Sequence, residues 1–217
     1  MNKRPSDIVQ GDKSGDVPLS ELAKEYIKLK YEKPGEVFLG VIHRLDRPVS
    51  GAVAFARTGK ALARMNGMIR DRKIRKTYWA VTAAMPPEKE GRLVHYLKKN
   101  QQKNISSAWD EPGPGRLKAE LTYRHLCSSD RYHLLEVVLI TGRHHQIRVQ
   151  LAATGCVIKG DLKYGAARPN RDASIHLHAR SLSFIHPVKK EMTEVIAPVP
   201  DDPLWKHFES FAAAGSP

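Results

Sequence analysis

Residues 40–56, GVIHRLDRPVSGAVAFA, constrain the fold more than any other stretch. An apolar run meets a knot of charge, with Arg44, Asp46 and Arg47 around Leu45. It then passes through Pro48-Val49-Ser50-Gly51 and becomes apolar again. The pattern predicts a buried strand from Val37 to Leu45 and a partner strand from Gly51 to Arg57 across a charged turn. A carboxylate close to arginine is kept ionised, because an opposite charge within about 4–6 Å favours its charged form. An ionised, partly desolvated carboxylate can act as a base or a nucleophile. Taken alone, the Arg-x-Asp-Arg cluster reads instead as a structural ion pair beside a turn.

The rest of the chain mixes helices and strands without strict βαβ alternation, so the predicted fold class is α+β. Apolar spacing predicts a helix over residues 18–31 with Ser20 as its N-cap, and a second over 59–72. Thr77 to Ala83 reads as a strand on which Tyr78 and Trp79 face opposite sides of the sheet. Residues 99–115, KNQQKNISSAWDEPGPG, read as a loop or flexible insertion. Strands follow at Leu117 to Cys127 and Tyr132 to Ile140, joined by a hairpin connection. A short helix is expected from Thr141-Gly142 to Ala153, capped near Gly155. GDLKYG at 160–165 reads as a turn, with further strands around His176 to Ile185 and a last helix from Pro203 to Ala213. No repeat or linker divides the chain.

With 36 Lys+Arg against 23 Asp+Glu, the formal charge is +13, which favours a polyanionic partner. An acidic protein could also answer that charge, but its clustering favours nucleic acid. Residues 60–76 set Lys60, Arg64, Arg70, Arg72, Lys73, Arg75 and Lys76 against one acid, Asp71. Lys98, Lys99 and Lys103 form a second basic group. In LITGRHHQIRVQL (139–151), Arg143, His144 and Arg148 lie at the predicted helix opening, where free backbone N–H groups attract anions. They could hold phosphate, or one arginine could pair with Asp46. The Tyr78 ring could stack on a flipped base.

The remaining signals are negative. His144, His145, His176 and His178 lack a carboxylate at ligand spacing, so no metal is expected. Walker A and Rossmann signatures are absent, and no other cofactor is implied. No apolar run approaches the roughly 18 residues of a membrane span, and no signal peptide is evident. The cysteines, Cys127 and Cys156, are far apart, as in a cytoplasmic protein.

Together these segments resemble the RluA-type family of RNA pseudouridine synthases. HRLDRPVSG resembles the family's HRLD-x-x-[TV]-SG segment, KTYWAV its Lys-x-Tyr segment, and TGRHHQIRVQLAATGCVIKGDLKYG its TGR-x-HQIR…GD-x-x-YG segment. IHLHARSLSFIHP resembles its C-terminal strand pair, and the four lie in order over roughly residues 37–190. The resemblance implies a pseudouridine synthase fold, a mixed and mainly antiparallel sheet with flanking helices around a basic cleft. A single catalytic domain over 1–217 is expected, without the separate S4-like RNA-binding domain found on many relatives, acting as a monomer on ribosomal or transfer RNA. Its reaction breaks a uridine's N1–C1′ bond, rotates the held uracil and forms a C5–C1′ bond, with no cofactor. Asp46 would be the catalytic carboxylate, paired with Arg148, and Arg143 a second candidate for that pairing. Arg44 would fill the space left by the flipped nucleotide and Tyr78 would stack on the uracil. Val49 and His144 depart from the commonest residues at their positions, and NKRPSDIVQGD follows the family's opening only loosely.

Two rival readings remain. A glycosidase-like enzyme also works at C1′ but normally uses two carboxylates, and Asp161 is the only obvious second acid near these motifs. A non-catalytic RNA-binding module of the same fold would be expected to have lost Asp46, Tyr78 or Arg148.

Overall fold

The structure, a computed structural model, describes residues 1–214. In chain order its strands are β1 (Asn2–Lys3), β2 (Gly40–Val41), β3 (Ser50–Ala52), β4 (Phe55–Ala56), β5 (Ile74–Thr82), β6 (Glu90–Asn100), β7 (Ile105–Trp109), β8 (Leu117–Ser128), β9 (His133–Leu139), β10 (Leu177–Ile185) and β11 (Met192–Ile196). The helices are α1 (Leu19–Lys30), α2 (Gly59–Arg70), α3 (Gln146–Ala153) and α4 (Pro203–Ala214), with a 3-10 turn at Leu162–Tyr164. One sheet runs β1-β3-β10-β5-β9-β8-β6-β7, with β11 also on β10. Its pairings are antiparallel except β3 with β10, so this is a mixed sheet of the α+β class.

Strand alternation on β5 divides the core. Tyr78 and Ala80 pack on one face with Leu45, Val49, Ile147 and Leu151, beneath α3. Trp79 and Val81 pack on the other with Trp205 and Phe208 of α4. A third cluster joins Met65 of α2 to Ile42, Ala52, Ile74 and Leu182. Burying such side chains stabilises each contact by about 1.5–3 kcal/mol per large residue.

Several local expectations fail for identifiable reasons. Ser20 does not cap α1: it is the second helical residue, and the N–H groups of Leu19 and Ser20 donate to Ile8 and Val9 carbonyls. The strands flanking the charged turn are shorter than expected and do not form one hairpin. β2 pairs with β4, while β3 joins the main sheet. The stretch 99–115 is largely ordered as the end of β6, β7 and their tight connection. Polar side chains disguise it, because β6 is paired through its backbone on both sides. Helix α3 begins at Gln146, later than expected, and residues 141–145 form a loop. There the Gln146 side-chain oxygen accepts from Thr141 Oγ1 and from the Arg143 backbone N–H.

The turn bearing Asp46 is anchored from behind. Its backbone closes with a bond from Val49 N–H to Asp46 O, 3.0 Å. The buried Lys3 ammonium donates to the carbonyls of Arg4, Arg47 and Val49 at 2.8, 3.0 and 2.7 Å. Beyond the turn, Gly51 has φ +117, and a Cβ there would strike the Ala179 backbone across the parallel pairing. Next to it Ser50 Oγ lies 2.8 Å from Nδ1 of the fully buried His178, whose Nε2 reaches Ala197 O.

Gly51→Ala adds a left-handed backbone penalty to a backbone clash, so it should cost at least about 2 kcal/mol in urea unfolding. Burial pushes His178 down to about 4, and does the same to His176. Unfolded histidines bind protons below about 6.5 while these buried rings do not. Stability should therefore be fully present above pH 6.5 and fall as pH drops toward 4, as urea midpoints over that range would record.

Candidate active site

Asp46 lines a cleft of about 1220 Å³, between the C-terminal end of α2, β5, the 141–145 loop and the start of α3. Its side chain is 31% exposed, enough to meet a ligand, whereas its partner Arg148 is only 4% exposed. Arg148 Nη1 lies 3.0 Å from Asp46 Oδ2. The other edge of the same guanidinium is occupied by Asp161, with Nε to Oδ2 at 2.7 Å and Nη2 to Oδ1 at 2.8 Å. Such a bidentate fork is the geometry in which arginine binds carboxylate best. Asp161 is almost fully buried. Arg148 is thus held rigidly, with one N–H edge left to address Asp46.

The local sequence explains the placement. Helix α3 is buried from Gln146 to Leu151, so Arg148 enters the interior with the apolar residues around it. The 3-10 turn that follows Asp161 brings Tyr164, whose ring centroid is 5.1 Å from the Arg148 guanidinium carbon. Paired charges and this aromatic face offset the desolvation of a buried cation. His145, in the left-handed conformation at φ 53, turns its ring back toward the site. Its Nε2 is 3.6 Å from Asp46 Oδ2 and its Nδ1 is 2.9 Å from Tyr164 Oη. Burial, reinforced by Arg148 and opposed by Asp46, pushes His145 down to about 3, so it is neutral at pH 7. His144 stacks on it at 3.8 Å and is pushed to about 4, chiefly by burial and by Lys99.

Tyr78 lines the cleft while 6% exposed, and burial together with the Asp46 charge pushes its phenol well above the usual tyrosine range. It enters any chemistry as a neutral hydroxyl. Trp79 faces the opposite side of the sheet.

The cleft brings together many of the cations singled out in the sequence. Arg44, Arg143 and His144 line it, as do Arg70, Arg72, Lys73, Arg75 and Lys76 from the end of α2 to the start of β5. Lys60 and Arg64 are exposed on α2 outside the cleft lining, and Lys98 and Lys99 lie on β6. Arg143 does not pair with Asp46: its Nε donates to the Lys118 carbonyl, 3.1 Å. Arg143 and His144 lie at the opening of α3, immediately before its N-cap His145 and not within the helix. Arg47 turns away to Asp16 and Ser14, at 2.6 and 2.7 Å, and ties the turn to the N-terminal loop. Asp161, Tyr164 and His145 are the residues that sequence reasoning left without a task. GDLKYG contained the first two, but nothing in a turn composition says that its acid will be buried against an arginine 13 positions earlier.

Two kinds of comparison bear on this arrangement. The family model described as RNA pseudouridylate synthase matches residues 1–153. A Chloroflexus aurantiacus protein named as an uncharacterized RNA pseudouridine synthase is 37% identical over 77% of this chain and 52% of its own. The ribosomal large subunit pseudouridine synthase C of a Buchnera aphidicola strain is 30% identical over 81% of this chain and 57% of its own. The chain thus spans about half the length of these curated relatives. The solved structure of human RNA pseudouridylate synthase domain containing 4 superposes with a TM-score of 0.78, covering 98% of this chain and 88% of that one at 22% identity. That likeness establishes the pseudouridine synthase fold. By its matched residues, motifs and fold, the chain belongs to the RNA pseudouridylate synthase family, among the RluA-type members.

Proposed function

We propose that this protein isomerises specific uridines in structured RNA to pseudouridine, with Asp46 as the catalytic carboxylate. The observation that carries the reading is a partly exposed carboxylate lining a basic cleft, held by one edge of a buried arginine. Asp46 acts either as a nucleophile at the sugar or as a base that opens a glycal route. In both, the N1–C1′ bond breaks, uracil turns within the site, C5 bonds to C1′, and the C5 proton is lost while N1 gains one. Atoms balance with no second substrate.

The other residues divide the work. Arg148 keeps Asp46 charged and oriented. Tyr78 supplies an aromatic face and a neutral hydroxyl beside Asp46. Arg44, exposed in the cleft, occupies the space a flipped nucleotide leaves. Flipping costs a few kcal/mol, least where the target is already unpaired, which favours loops in folded RNA. Arg70, Arg72, Lys73, Arg143 and His144, which all line the cleft, take phosphates. Lys98 and Lys99 on β6, with Lys60 and Arg64 on α2, extend the basic surface. Relatives are named for ribosomal large-subunit RNA and for transfer RNA, and both are candidate targets.

The state of Asp161 argues against a glycosidase. A second catalytic carboxylate must reach substrate or water, yet Asp161 is 1% exposed with both oxygens bonded to Arg148.

Asp46→Ala should lower pseudouridine formation in the natural RNA by at least about a thousandfold while RNA affinity stays within a few-fold. Wild-type turnover in that variant would refute the assignment. Mapping pseudouridines in cellular RNA with and without the gene names the target. Asp161→Asn removes half of the fork on Arg148, so single-turnover rates should drop at least about tenfold with little change in RNA binding.

A further inference from the structure

A hydrogen-bond chain behind Asp46 runs in one direction. The Ser106 backbone N–H, on β7, donates to Tyr164 Oη at 2.8 Å. That oxygen lies 2.9 Å from His145 Nδ1. Among the described residues Tyr164 Oη has these two hydrogen-bond partners, so its own proton has a single acceptor, the Nδ1 lone pair. The ring proton of the neutral imidazole then sits on Nε2, which faces Asp46 Oδ2 at 3.6 Å. The opposite tautomer would aim the Nε2 lone pair at a carboxylate and leave the Tyr164 proton unpaired in a half-buried site. Both ends of the chain demand the same proton arrangement.

The two donors converge on one oxygen. Arg148 Nη1 and His145 Nε2 both approach Oδ2, and among the described residues no hydrogen bond or ion pair reaches Oδ1. The His145 ring is locked by its stack on His144 and by the left-handed backbone that turns it inward. His144 is in turn tied to β7, where Ser106 Oγ lies 2.9 Å from both its Nδ1 and its carbonyl.

We propose that His145 is a positioning residue whose Nε2–H, set by Tyr164, joins Arg148 in holding Oδ2 of Asp46, so that Oδ1 is the oxygen offered to the substrate. The idea rests on the reading of Asp46 as the catalytic carboxylate. Arg148 donates to Oδ2 at 3.0 Å and the His145 N–H faces the same oxygen at 3.6 Å, longer than a hydrogen bond, so both favour the orientation that leaves Oδ1 for the cleft. Preorganisation of this kind acts on the chemical step rather than on RNA binding.

The tautomer can be read without any activity, from imidazole nitrogen-15 NMR of the free protein at pH 7. His145 should be the Nε2–H form, and Tyr164→Phe, which keeps the ring over Arg148, should raise the Nδ1–H share above wild type, because only the Asp46 end then still favours Nε2–H. A wild-type ring protonated at Nδ1 overturns the proposal whatever the enzyme does. The kinetic arm compares two replacements in single-turnover pseudouridine formation. His145→Asn accepts the left-handed backbone but cannot reach Asp46, and should lose at least about tenfold in rate with unchanged RNA affinity. His145→Gln, whose amide nitrogen falls near the Nε2 position, should recover most of that loss. Equal loss in both variants would also overturn the proposal. Asp46→Ala with normal turnover would sink the catalytic reading instead, while leaving the NMR result standing.

Discussion

The site is organised by one buried arginine placed between two carboxylates of different exposure. A guanidinium that is 4% exposed is stable only if its charge is answered, and Asp161 answers it with both oxygens. That clamp leaves one N–H edge pointing at Asp46, so a surface-accessible carboxylate inherits its orientation from an interior ion pair. Removing any member leaves an unmatched charge in the interior or a loose one in the cleft. The apolar packing of α3 carries Arg148 into the interior, and the turn at Asp161 supplies the carboxylate that answers it there.

A second constraint holds the backbone of the Asp46 turn. Lys3 caps the carbonyls of Arg47 and Val49 from below, while Gly51 lets the chain pass against Ala179 where β3 runs parallel to β10. Ammonium and glycine solve different problems there. One satisfies carbonyls that no strand pairs, and the other admits a close backbone approach that any side chain would block. The cations from Arg70 to Lys76 line the cleft without bonding to Asp46, so its basic lining and the ion pair that orients Asp46 come from separate residues.

Much of this was legible beforehand. The helices over 18–31, 59–72 and 203–213, the paired strands β8 and β9, and the opposite facing of Tyr78 and Trp79 followed from apolar spacing and strand alternation. Asp46, Tyr78 and Arg148 came from motifs lying in order, which by themselves only imply proximity. The order of 99–115 was hidden because β6 and β7 are held by backbone pairing, which a polar sequence does not advertise. The Ser20 cap failed because tertiary carbonyls from Ile8 and Val9 took over its role.

The sequence by itself determined the class of fold, the basic character of the surface and the candidates for the reacting carboxylate and its arginine. These depend on local periodicity, net charge and motif order, all of which a linear chain carries. The motif resemblance already paired Arg148 with Asp46; the tertiary structure alone decided that Asp161 is a buried clamp on that arginine and that His145 and Tyr164 stand behind the site. Those outcomes depend on which charged groups are desolvated together. Burial of a charge is a property of the packed interior, to which residues 46, 148 and 161 contribute from separate parts of the chain.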